Sequence, residues 1–217
     1  VPWLAVCELF KSKIDSIMDM GRWLFILVPN AQEIIDQTYV RWSRTLLGVD
    51  WWRNAAVCSS EMGFCFSRFA RVVYVVAIKR AKLWLRGPDD WHARFFRISN
   101  EKVCGWALCS ASLLSLWKLE DWPVWAQPGA SLDSYRLYVK SVLSNSYLGW
   151  WSSIMLQHKA QVPYSQFACS PAASICMWRR WSVTAAALSG MRSFCRLRCG
   201  QLVLKHLNRS KSMALIQ

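Results

Sequence analysis

The run from Arg68 to Arg86, RFARVVYVVAIKRAKLWLR, constrains the fold more than any other stretch, because its two kinds of residue separate cleanly on a helix. At about 100° per residue, Arg68, Arg71, Lys79, Lys82 and Arg86 fall within an arc of about 80°. Phe66, Ala70, Val73, Ala77 and Trp84 lie near the opposite side, as packing against a core requires. Gly87-Pro88 then ends the helix, since proline has no N–H to continue the ladder. A basic stripe of this kind is either a solvated face or an electrostatic track for phosphates.

The rest of the chain reads as further helices. Trp3, Cys7, Phe10, Ile14 and Ile17 follow a 3-4 spacing. Trp23 to Val28 is a short apolar run, either a strand or a buried helical turn. Asn30 with Glu33 three residues on forms a capping-box start for a helix to about Leu47, with Ile35, Tyr39, Trp42 and Leu46 as its stripe and Gly48 at its end. Asp89 or Asp90 caps a short helix holding Trp91, Phe95 and Ile98, and Asn100 opens another through Trp117. Ser131 caps a helix bearing Tyr135, Tyr138 and Val142, which can extend past Gly149 to Trp150 and Ile154. Ser170-Pro171 starts one to about Leu188, and the tail from Met191 forms a last helix broken at Gly200. Sustained period-2 alternation is almost absent. The expected class is mainly α, an irregular helical bundle of two layers with little or no sheet. Pro123, Pro128 and Gly129 make Asp121 to Ser131 the best linker, which predicts helical regions 1–120 and 132–217 joined by 121–131.

A length of 217 residues can bury one core or two small ones. The net charge of +14 calls for a polyanionic partner: nucleic acid, an acidic protein or an anionic surface. The fifteen tryptophans cannot all sit inside, because each indole N–H needs an acceptor. That number, with nine scattered cysteines, also suits a degenerate or spurious reading frame under weak selection. The odd cysteine count and irregular spacing do not make a disulfide framework, so a reducing compartment, cytoplasm or nucleus, is expected. No signal peptide is expected. Val103 to Trp117 is uncharged but shorter than the roughly 20 residues of a bilayer span, so no membrane span is expected.

The order W-x-R-x-L-L-G, W-R-x-A-A-V, E-M-G-F, R-A-K-L-W is carried by Trp42, Arg44, Leu46, Leu47, Gly48, Trp52, Arg53, Glu61, Gly63, Arg80, Ala81, Leu83 and Trp84. It resembles the region after the polymerase core in non-LTR (LINE-like) retrotransposon reverse-transcriptase polyproteins, with Met62 and Phe64 replacing the family's usual Leu and Trp. Tyr135 to Trp151 is similar to a later helix of that family. Arg196, Leu197, Arg198, Gly200, Leu202 and Leu204 match its R-L-R-x-G-x-L-x-L pattern. The resemblance implies a C-terminal fragment whose upstream partner is the polymerase core of the same polyprotein, with RNA-directed DNA polymerase chemistry outside this chain.

The sequence carries no catalytic motif of its own. The family's Y-x-D-D pattern is absent, and Asp89-Asp90, the one adjacent aspartate pair, is better read as a helix cap than as a two-metal site. Cys195, Cys199 and His206 have neither a fourth ligand nor zinc-site spacing. No phosphate loop is present, and no metal or other cofactor is expected. Basic and aromatic residues interleave at Trp178-Arg179-Arg180-Trp181 and at Arg192, Phe194, Arg196 and Arg198. Such neighbours serve cation–π or base stacking, and equally a helix with tryptophan inward and arginine outward. The expectation is a non-catalytic, sequence-nonspecific RNA or DNA binder acting through Arg68, Arg71, Lys79, Lys82, Arg86, Arg179, Arg180, Arg192, Arg196 and Arg198. The alternative is a helical scaffold for an acidic protein.

Overall fold

The computed structural model describes residues 16–52, 54–61 and 68–157, with short pieces at 8–9 and 12–13. Among these residues the chain is mainly α-helical and contains no strand. The elements are α1 (Ser16–Asp19), a 3-10 helix (Arg22–Leu27), α2 (Ala31–Leu47), α3 (Ala55–Glu61), α4 (Arg68–Leu85), α5 (Trp91–Glu101), α6 (Gly105–Leu116), α7 (Trp122–Trp125) and α8 (Leu132–Gln157). Two compact units share them. One comprises Ser16–Asp36 with Phe66–Tyr147, and the other includes Gln37–Cys65 and Leu148 onward. The expected first helix, from Trp3, falls mostly outside the described residues, as do all the elements expected beyond Gln157.

Local chemistry sets the helix ends. Gly48 lies at φ 64, with its N–H donating to Thr45 O at 3.2 Å and that of Val49 to Arg44 O at 3.1 Å. This paired closure satisfies the last carbonyls of α2 and needs a left-handed residue at its hinge. Asp90 accepts the Ala93 N–H at 3.0 Å, and Ser131 Oγ accepts that of Ser134 at 3.1 Å, which caps α5 and α8 as their sequences predict. The Asn30 carbonyl accepts the Ile34 N–H at 3.1 Å, the first bond of α2, but Asn30 sits at φ 57, not in the extended region usual for a cap. The Trp23–Val28 ambiguity resolves as the 3-10 helix.

In the first unit α4 is the central helix, packed by the 3-10 helix and by α5, α6 and α7. Phe69, Ala70, Val72, Val73, Val76, Ala77, Ile78, Arg80 and Ala81 are buried, which covers most of its circumference. Its N-terminus is held from α2, where Asp36 Oδ1 accepts the Phe69 N–H at 3.0 Å. Burial raises the Asp36 carboxyl above its ordinary value, outweighing the Phe69 and Arg68 backbone N–H groups and the Arg68 charge. An acid with a raised folded pKa binds protons that the unfolded chain has released. Its contribution to stability therefore falls as pH rises from 3.8 through the folded value, then stays flat. Asp36→Asn keeps an oxygen for the Phe69 N–H and removes this loss. Urea denaturation at about pH 3 and about pH 7 should show the variant gaining on wild type as pH rises. A variant that loses ground at the higher pH would show that the ionised carboxylate stabilises the fold.

The core of this unit contains a cation. Arg80 is 1% exposed, and all five of its guanidinium N–H donors can be accounted for. Nε donates to Asp121 Oδ2 at 3.1 Å, and Nη1 to Ala107 O at 2.9 Å and Ser110 Oγ at 2.7 Å. Nη2 donates to Asn100 Oδ1 at 3.0 Å and again to Asp121 Oδ2. Trp84 Nε1 adds a bond to the same Asp121 oxygen at 3.2 Å, and the Phe96 ring lies 5.0 Å from the guanidinium carbon. One arginine thus ties α4 to α5, α6 and the residue that starts α7.

Several expected details differ. The buried stripe of α2 is Ala31, Ile35, Tyr39, Ser43 and Leu47, so Trp42 and Leu46 lie at its margin. Asn100 opens no helix: it lies within α5 with its side chain on Arg80, and Cys104 precedes α6. Trp91, Phe95 and Ile98 face solvent at 68%, 69% and 47% exposure, while Ala93 and Phe96 face inward. The stretch Asp121–Ser131 contains α7, with Trp122 buried and Asp121 bonded to Arg80, and the first unit runs through it. In α8, Tyr135, Val139 and Leu143 are buried in this unit at four-residue spacing. Gly149 sits mid-helix, where an added Cβ would meet nothing within 4 Å.

Candidate nucleic-acid interface

The arc of α4 that the core leaves uncovered carries the basic stripe. Arg68, Arg71 and Lys79 are half-buried, Lys82 is exposed, and Arg86 follows the helix end, also exposed. Three of the five come together. Lys79 Nζ lies 3.5 Å from the Trp23 ring centroid, a distance at which ring face and ammonium attract. Trp23 is fixed in turn by Trp106, whose ring meets it edge-on at 5.9 Å and whose Nε1 donates to Trp23 O at 2.8 Å. Partial burial lowers the Lys79 pKa, and the charges of Arg86 and Lys82 lower it further.

Counter-charge at this cluster is sparse. Arg86 Nη1 pairs with Asp90 Oδ2 at 3.2 Å between an exposed and a partly exposed group, a pair of modest worth. Asp90 is already engaged as the α5 cap, and its carboxyl is held below the ordinary value first by the Ala93 N–H and then by Arg86. Lys82 has no acidic partner among the described residues. Arg97 anchors the end of α4, donating from Nη2 to Trp84 O at 3.3 Å and Arg86 O at 2.7 Å. A cation at a helix C-terminus is favoured by the helix dipole, so Arg97 is structural rather than available. Lys79, Lys82 and Arg86 therefore form a cluster of like charge whose members repel one another.

Arg71 and Arg68 lie about two and three turns earlier, with Arg68 facing Asp36. Arg179, Arg180, Arg192, Arg196 and Arg198 fall outside the described residues, as do Cys195, Cys199 and His206. Among the described residues no three His, Cys, Asp or Glu side chains are grouped to hold a metal ion, and Asp90 of the adjacent aspartate pair serves as a cap. Cys104 and Cys109 are free thiols, and Cys58 is buried. No described helix is long and apolar enough to cross a membrane.

Sequence reasoning missed Trp23, which it placed in an unassigned apolar run. A clue lay in the composition, since an aromatic ring outside the core beside a basic helix is the natural seat for a lysine. No protein-family model, curated protein or solved structure matches the chain.

Proposed function

We propose that this chain is a non-catalytic helical segment that binds RNA or DNA without sequence preference, as part of a retrotransposon reverse-transcriptase polyprotein. The observation that carries the binding is the Lys79, Lys82 and Arg86 cluster, where burial first and then like charge lower the Lys79 pKa and where Asp90 is the acidic neighbour found among the described residues. A phosphate backbone supplies the missing charge, and the chain's net +14 adds a long-range attraction. The parentage rests on the ordered motif from Trp42 to Trp84. Genomic sequence upstream tests it directly: an in-frame Tyr-x-Asp-Asp core supports it, and interrupting stop codons oppose it.

The binding is tested by salt titration of RNA and duplex DNA affinity, comparing wild type with Lys79→Ala/Lys82→Ala. Each neutralised phosphate contributes a slope of about −0.9 on duplex or about −0.7 on single strands. Losing two contacts should flatten the duplex slope by up to about 2 units and weaken binding roughly 60-fold at about 0.1 M salt. Helix content should hold, since alanine is the best helix former. Equal slopes for the two proteins would reduce the stripe to a solvated face. The exposed Trp91, Phe95 and Ile98 favour one second reading, a scaffold that covers this face with a protein partner.

A further inference from the structure

From the groove between α7 and the start of α8 we infer a second binding site, for an alkylated ammonium group such as a methylated lysine side chain. The groove is open, about 590 Å³, and is lined by Glu120, Val124, Trp125, Gln127, Pro128 and Tyr138, among others. Trp125 and Tyr138 stack with ring centroids 5.5 Å apart and planes at 27°, and both remain partly exposed. Tyr135 backs them, 5.0 Å from Trp125.

Two tyrosines hold Glu120 at the rim. Its N–H donates to Tyr138 Oη at 3.2 Å, and its carbonyl accepts the Tyr135 hydroxyl at 2.8 Å. The neighbouring carboxylate, Asp121, is consumed inward by Arg80. The Glu120 side chain is exposed, and no basic group among the described residues pairs with it. Ring faces attract cations, a nearby carboxylate neutralises them, and Val124 and Pro128 offer apolar surface to alkyl substituents. Glu120 repels phosphate, so this site is separate from the nucleic-acid surface on α4.

The test titrates the full chain with tetramethylammonium and with tert-butanol, a neutral molecule with the same tetrahedral heavy-atom skeleton, following ligand NMR line width. The cation should bind with a Kd of order 1–10 mM and at least about fivefold more tightly than the alcohol. Glu120→Gln should weaken the cation about threefold or more and leave the alcohol unchanged. Trp125→Phe keeps a ring in the cluster and should give a smaller loss than Trp125→Ala. A thermal melt of each variant separates misfolding from lost recognition. Equal affinity for the two probes, no cation binding up to about 100 mM, or a Glu120→Gln variant that binds like wild type would each overturn the assignment.

Discussion

Replacing Arg80 by alanine is expected to lower the stability of the first unit by about 3–5 kcal/mol, a large share of what a domain of this size possesses. The loss does not measure what the ion pair contributes. It comes from leaving Asp121 partly buried with no cation, and the Asn100 and Ser110 oxygens without the donor that Arg80 supplied. Arg80→Lys should recover little, because an ammonium offers three donors where the guanidinium offers five in a fixed fork. Asp121→Ala should be comparably harmful, since it strands the guanidinium and also removes the acceptor of the Trp84 indole. Combining the two changes should cost clearly less than their sum, with coupling of up to about 3 kcal/mol. Urea denaturation of the four proteins provides the cycle. If Arg80→Ala cost under about 1 kcal/mol, this network would not be the structural centre of the unit.

Tyr135 is the second site of large expected effect. It is fully buried, with Trp122 and Trp125 around its ring at 5.4 and 5.0 Å and its hydroxyl on Glu120 O. Tyr135→Ala should cost about 3–5 kcal/mol through the cavity it leaves. Tyr135→Phe should cost only about 1 kcal/mol, the net worth of one hydrogen bond. Burial first, then the negative charge of Asp121, pushes the phenol above its ordinary 10.0. The folded chain therefore keeps a proton that the unfolded chain releases, and stability falls as pH rises past about 10. Tyr135→Phe should remove its share of that alkaline loss. Nearly equal costs for the two variants would assign the site's value to its hydroxyl and not its packing.

Features governed by neighbours in sequence were legible beforehand. The extent of α4, its stop at Gly87-Pro88, the caps at Asp90 and Ser131 and the turn at Gly48 all depend on groups within about one helical turn. The basic arc of α4 was legible for the same reason. Arg80 was not, because it lies off that arc and its partners are 20 to 41 residues away. Nothing local distinguishes a buried arginine from a solvated one. The stripe Trp91, Phe95 and Ile98 failed differently: its spacing is real, but periodicity tells which residues share a face and not what covers it. On α5 the smaller Ala93 and Phe96 face took the core, because Asn100 on that side reaches Arg80.

The Arg80 network also has a direction in time. A chain leaves the ribosome from its N-terminus at roughly 5–20 residues per second. Arg80 precedes Asp121 by 41 residues, so its counter-charge arrives about 2–8 seconds after it. In that interval Asn100, Ala107 and Ser110 emerge and can offer only neutral oxygens, too little to draw a guanidinium out of water. Closure of α4, α5 and α6 around a dry centre therefore waits for α7. The Arg80 network is thus expected to close only after Asp121 has been made.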